Sequence, residues 1–288
     1  MSARSNEDRL GIAAGQSEEN SLQQPTLEGG TLKFITPTEF VDLPSKGEFY
    51  PPNHPLHKQE VAEIRHMTTK EEDILTSITL LKKGLALDRM LESILVDKRI
   101  KIDDLLMGDK NALIIAARTH GYGPIYDTHV ECPNCSNRQE YSFDMGALEC
   151  QSAPSELMSK RAIQKTEVGT FLVPIPQTDY VVETRLLTGH HEKKILEIQE
   201  HKKQRNFHET TATDFLRAII VSVNNIGDEK SINEFINSLP ALHGRYLRRT
   251  YEKVVPALDM KHSFICASCN HEGVLEVPLN TDFFWFNA

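Results

Sequence analysis

Long apolar runs are missing from this chain. Nowhere does one approach the roughly 20 residues that a helix needs to cross a bilayer, so no membrane span is expected. The opening MSARSNEDRLGIAAGQSEENS lacks an apolar h-region, and it is not expected to act as a signal peptide. The Walker-type Gly-rich loop, Gly-x-Ser-x-Gly, HExxH and GxGxxG are all absent, which argues against an enzyme. Carboxylates such as Glu71, Glu72 and Asp73 instead open a helix, where they complement its dipole. Positive charge is short: 32 Lys and Arg against 41 Asp and Glu leave a formal charge of −9. That balance disfavours a protein whose main task is to coat nucleic acid, because phosphate binding needs a basic face. Cysteine is scarce too, with 5 in 288 residues, too few for a disulfide scaffold.

What remains is an ordinary globular composition, 39% hydrophobic and 25% charged, which excludes wholesale disorder and fibrous repeats. The length allows one large domain or two modest ones, each with a real core. Reduced cysteines at metal-like spacing fit a cytoplasm.

Four of the five cysteines stand in two Cys-x-x-Cys turns, CPNC at Cys132–Cys135 and CASC at Cys266–Cys269. Each turn is entered from a strand-like run, IYDTHVE or KHSFI, and left by an alternating one. Tyr141, Phe143 and Met145 follow the first turn, and Leu275, Val277 and Leu279 follow the second. A Cys-x-x-Cys bend between strands puts both sulfurs on one side, and two such bends facing each other supply the closed tetrahedron that structural zinc prefers. The matched flanks predict one structural zinc held by Cys132, Cys135, Cys266 and Cys269. A redox pair would need its motif to open a helix, whereas a polar turn and a strand follow here. A catalytic zinc keeps one position open, and four cysteines close it. His129, His262 and His271 are read as surface residues, and Cys150 as a spare thiol.

Taken in order, Met1 to Gly30 is polar and expected to be a disordered arm. Residues 31–150 are read as a first α+β unit and 151–288 as a second, each ending in a knuckle. In the first, TLKFITPTEFVDLPSKGEFYPP is extended chain folded back at Pro44–Gly47, where Pro presets φ and Gly supplies a positive one. A strand over Lys58–His66 follows. Thr69 with Glu72 has capping-box spacing, and Gly84 ends the helix it starts. Further helices are expected over Asp88–Val96 and Asp109–His120, the latter closed by Gly121. In the second unit a hairpin over Thr170–Ile175 and Tyr180–Leu187 precedes helices at His190–Lys203, Thr213–Asn224, Ser231–Ser238 and Ala241–Val254. Ser231 with Glu234 again has capping-box spacing. The final Phe283, Phe284, Trp285 and Phe286 are expected to form a strand packed on the core.

The two units match in order. Glu63, Arg65, Thr68 and Glu72 recur 120 positions later as Glu183, Arg185, Thr188 and Glu192. Leu91, Ile94, Leu95 and Val96 recur at a shift of 125, Ile102–Leu106 at 130, Arg118-Thr119 at 131 and Cys132 at 134. A shift that rises steadily is what a duplication with later loop insertions leaves. The expected fold is therefore α+β, two related units joined by one shared zinc ribbon.

The stretches FVDLPSKGEFYPP, MTTKEEDIL and LLKKGLALDRML, with the paired knuckles, resemble the baseplate hub assembly proteins of T4-like contractile-tailed bacteriophages. The resemblance covers most of Thr31–Leu279; LPSKGEFYP and MTTKEEDIL are its most specific markers. It implies a non-enzymatic role, as a chaperone of the hub in the host cytoplasm or as a component of the virion baseplate. The partners it implies are hub and tail proteins; no membrane and no small-molecule substrate are expected. Contacts would then fall on Lys46, Phe49 and Tyr50 of the Leu43–Pro52 loop, and on Phe283, Phe284, Trp285 and Phe286; the competing reading is that these aromatics cover the local core. A nucleic-acid-binding zinc-ribbon accessory protein is the alternative class. Against it, PNCSNRQE carries one Arg and ASCNHEG neither Lys nor Arg, and the Arg245, Arg248, Arg249 and Lys253 cluster reads as a solvated helix face.

Overall fold

The computed structural model describes residues 36–151, 155–204, 211–279 and 281–284, with two short strands before them. Those strands, β1 (Leu27–Glu28) and β2 (Thr31–Leu32), pair as a hairpin within a separate unit, Met1–Thr36. The rest of the expected N-terminal arm lies outside the described residues. Everything from Pro37 onward clusters as a second compact unit of mixed helices and small sheets.

That unit begins with β3 (Thr38–Asp42) paired antiparallel to β4 (Val61–Arg65). Between them runs the Pro44–Gly47 turn, in which Lys46 and Gly47 take φ of 50° and 68°. A Cβ at Gly47 would strike the backbone of Leu56 and Gln59, so both conformation and space require glycine here. Then come α1 (Thr69–Thr76), α2 (Ile78–Lys82) and α3 (Ala86–Ile94). The single helix expected from Thr69 to Gly84 breaks at Ser77, whose ψ of 107° is extended. The N-cap is Thr68 rather than Thr69: its N–H and Oγ1 both donate to Glu71 Oε2, at 2.9 and 2.7 Å. Leu95, just past α3, bridges back to Ile64 of β4.

The longest helix of the first half, α4 (Met107–Tyr122), runs past Gly121; Gly123, with φ of 89°, is the residue that stops it. Its interior is buried on nearly every side, as the flat run Ala-Leu-Ile-Ile-Ala-Ala allows. The first knuckle hairpin is β5 (Ile125–Glu131) with β6 (Arg138–Asp144). The short β7 (Cys150–Gln151), α5 (Ser155–Lys160) and β8 (Gln164–Lys165) lead into β9 (Phe171–Pro174) and β10 (Val181–Thr184).

After α6 (Gly189–Gln204) and α7 (Thr211–Ile219) the expected helix stops short. Ile220–Val223 is a strand, β11, because pairing with β10 overrides the helical continuation, and Ile and Val suit that pairing. It completes a four-stranded sheet in the order β11-β10-β9-β8. Next is α8 (Glu229–Ser238), capped by Asp228, whose side chain accepts from Ser231 N–H, instead of by the expected Ser231 box. Then α9 (Ala241–Val254) has the expected ends. The strand β12 (Ala257–Leu258) pairs with β7, and β13 (Lys261–Ile265) with β14 (Glu272–Glu276) makes the second knuckle hairpin.

One hydrophobic core runs through both halves, joining Leu43, Leu113, Phe143, Phe171, Leu247 and Phe283. Backbone bonds cross the seam as well: Met107 N–H donates to Leu187 O, and Gly189 N–H to Leu105 O. Among the described residues no helix is long and apolar enough to cross a membrane.

Candidate metal centre

The two knuckle hairpins are the same structure built twice. In β5–β6, Asp127 faces Ser142, His129 faces Glu140 and Glu131 faces Arg138. In β13–β14, Lys261 faces Glu276, Ser263 faces Val274 and Ile265 faces Glu272, each pair 134 positions further on. The turns close alike. Ser136 N–H donates to Cys132 O and Cys132 N–H to Asn137 O; Asn270 N–H donates to Cys266 O and Cys266 N–H to His271 O. Ser136 and Asn270, each directly after a second cysteine, take φ of 55° and 53°. After glycine, asparagine is among the residues that tolerate that left-handed conformation best.

The hairpins dock through Tyr141, whose hydroxyl donates to Ser263 O at 2.7 Å, and through Gln139. The Gln139 amide accepts from Ala267 N–H and donates to Ile265 O. A small apolar floor of Val130, Tyr141, Phe264 and Leu275 lies beneath the sulfurs. Cys132 and Cys266 are buried on that floor, while Cys135 and Cys269 face outward.

This docking brings the four sulfurs within 4.8 Å of one another. Cys132 Sγ lies 3.8 Å from Cys269 Sγ, and Cys135 Sγ 3.7 Å from Cys266 Sγ. A tetrahedron with metal–sulfur bonds of about 2.3 Å has sulfur–sulfur edges of about 3.8 Å. The cross-hairpin pairs therefore already stand at ligand spacing, nearly twice the separation of a disulfide. Asn134 adds a contact not foreseen from sequence: its backbone N–H donates to Cys132 Sγ at 3.4 Å and its side-chain amide to Cys269 Sγ at 3.6 Å. That amide, followed by the His271 backbone N–H, draws the Cys269 thiol down to about 6. Cys135 gains a lowering bond from Asn137 N–H, yet its sulfur neighbours outweigh it and push it up to about 12. Bare thiolates this close repel one another, and a dication is what lets all four ionise. The donor set, spacing and closure fit a four-sulfur metal site. Cys150 sits apart on β7, and no histidine joins the cluster among the described residues.

The aromatic residues expected to meet partners are placed differently from one another. Tyr50 is buried, its hydroxyl donating to Asp109 Oδ2 at 2.8 Å and accepting from Leu106 N–H at 3.1 Å. Ser45 donates to the same carboxylate through its N–H and Oγ, so the loop is clamped onto the first turn of α4. Burial pushes the Asp109 carboxyl above its usual range. Phe49 is half-buried against Phe171, with Lys165 Nζ 4.0 Å over its ring, and Lys46 is exposed. Phe283 and Phe284 lie in a 3-10 turn (Thr281–Phe284) rather than a strand, and both are buried in the core. Arg118 holds that turn, donating to Phe283 O at 3.2 Å with its guanidinium beside the Phe283 ring. Trp285 and Phe286 lie outside the described residues.

A family model described as T4 bacteriophage base plate protein matches residues 36–285. No curated protein and no solved structure matches the chain.

Proposed function

Because the chain belongs to the T4 bacteriophage base plate protein family, we propose that it is a non-enzymatic assembly protein of the baseplate hub, acting through protein–protein contacts. The match over residues 36–285 carries this reading, since it spans the whole second compact unit except its last residues. Family membership implies interaction with other phage baseplate proteins and a place at the tail baseplate. The finer assignment is to a chaperone that meets the hub in the host cytoplasm; retention in the virion is the second reading, favoured by the family's description as a base plate protein.

The same proposal includes one zinc ion on Cys132, Cys135, Cys266 and Cys269. A closed four-cysteine site leaves no position for water or substrate, so the metal's part is to hold the knuckles together. It also includes a duplication, two related units meeting at that ion. Three correspondences support it: the identical knuckle registers at a shift of 134, the Ile64–Leu95 bridge matched by Thr184–Ile220, and the Thr68 helix start matched by Thr188.

Mass spectrometry of sedimented assembly intermediates and of finished particles tests the role. The chain should travel with hub intermediates and be missing from finished particles. Presence in both makes it a component of the baseplate. Absence from both, with salt-sensitive recovery of nucleic acid instead, overturns the reading in favour of a zinc-ribbon accessory protein.

A further inference from the structure

The two halves differ in how one partly buried arginine is matched. In the first, Arg65 is fully matched: its Nη1 and Nη2 donate to Glu71 Oε2 and Oε1, at 3.0 and 2.5 Å. Ser93 Oγ donates to the same carboxylate at 2.7 Å, and Thr68 caps it from the other side. In the second half Arg185 stands where Arg65 does and Thr188 where Thr68 does, but His191 replaces Glu71 and Ala218 replaces Ser93. His191 keeps the capping role alone. Thr188 N–H donates to its Nδ1 at 3.2 Å, which puts the ring proton on Nε2. Burial, then Arg185 and its other cationic neighbours, lower the His191 pKa, so the imidazole is neutral.

Arg185 is thereby left without its anion. Its Nη2 reaches Ile220 O at 3.4 Å, and its Nε is buried with no partner. Among the described residues no carboxylate lies within ion-pair distance of it. An arginine that keeps a buried N–H unpaired and lines a cavity with no anion beside it is a site for a negatively charged ligand at the rest of its guanidinium.

The space beside it is real. Arg185, His191 and Ala218 line a cavity of about 480 Å³ walled by Ile195, Ile198 and Ile232. Of the lining carboxylates, Asp214 is taken by Lys202 and Arg217, and Glu229 is exposed with no ion pair to Arg185. The exposed Lys194 adds positive charge to the lining. A bare small anion would leave most of this volume empty. A carboxylate on a short aliphatic stem fills it, with the stem on the isoleucines and the oxygens on Arg185 and His191 Nε2–H.

We propose that this cavity is a carboxylate-binding pocket, anchored by Arg185, that takes an Asp or Glu side chain of a neighbouring baseplate protein. The source of the carboxylate rests on the assembly reading above; the pocket's chemistry does not. The occupant supplies in trans what Glu71 supplies to Arg65 in cis.

Nuclear magnetic resonance of the arginine Nε–H signals in the full zinc-loaded chain tests this, with N-acetyl-Gly-Glu-Gly-amide as probe. One signal, assigned by its loss in Arg185→Lys, should shift saturably, and the Gln version of the peptide should bind about tenfold more weakly or worse. The double variant His191→Glu with Ala218→Ser rebuilds the first half's arrangement. It should raise the Tm, abolish the peptide response and lower the yield of complete baseplates. No shift at Arg185, an equal response to the Gln peptide, or unchanged binding by the rebuilt variant overturns the pocket. Peptide binding together with a normal baseplate yield from the rebuilt variant overturns the partner assignment alone. Normal baseplates without the chain at all would instead sink the assembly reading.

Discussion

Glu71 is an ionised carboxylate with no solvent-exposed side-chain surface, held in place by an arginine and two hydroxyls. Burial alone would raise its pKa; the hydrogen bonds from Arg65, Ser93 and Thr68 outweigh that and bring it to about 2. Its folded pKa lies below its ordinary value of 4.5, so its contribution is complete above pH 4.5 and lost as pH falls through 2. Chemical denaturation across that window should show a steeper loss of stability in the native chain than in Glu71→Gln. Glu71→Ala should cost about 3–5 kcal/mol near neutral pH, because it strands Arg65. Tyr50 makes a parallel case with an uncharged donor. Tyr50→Phe leaves Leu106 N–H unpaired and Asp109 one donor short, and urea unfolding should report a loss of about 1–3 kcal/mol. If that variant unfolds like the native chain, the loop is not clamped as described.

Elements follow sequence where local chemistry is unopposed and depart from it where a distant contact decides. The two knuckle hairpins were legible because their signal, a Cys-x-x-Cys turn between alternating strands, has few rivals. Thr68 and Thr69 each have a Glu three positions on, so the capping box is locally degenerate. Arg65, arriving from β4, selects Glu71 and thereby Thr68. The β11 strand was hidden for a similar reason: its pairing with β10 is the deciding term. The Arg185 pocket could have been found by carrying the 120-residue shift one step further, to Glu71 against His191. Nothing in the sequence marks the approach of α4 to β12. There a Cβ at Gly108 would run into the Pro256 carbonyl, a backbone atom that cannot swing aside. Gly108→Ala should therefore destabilise by about 1–3 kcal/mol although alanine favours helix, as thermal unfolding will register; an unchanged or higher Tm would contradict that packing.

At the scale of the whole molecule, three of the contacts between the halves bear most on stability among the described residues. The shared core and the β7–β12 pairing form one. A second is a charge cluster around the buried Lys110–Asp88 pair: Lys110 Nζ sits 2.8 Å from both Asp88 and the more exposed Glu192, and Lys193 of α6 reaches Asp88 and Asp103. The knuckle cluster is the third, and on the zinc proposal it is the one that a chelator should undo. Binding in small zinc peptides contributes about 10–16 kcal/mol, enough to decide whether segments ~130 residues apart stay docked. Cys266→Ser should lose the metal and lower the Tm, whereas Cys150→Ser should change neither, since Cys150 lies outside the cluster. The most direct measurement is X-ray absorption at the zinc edge on freshly purified protein, with metal content determined on the same sample. One zinc per chain in a shell of four sulfurs at about 2.3 Å is the predicted result. Protein that carries no zinc, or zinc with nitrogen or oxygen in its first shell, would contradict the account.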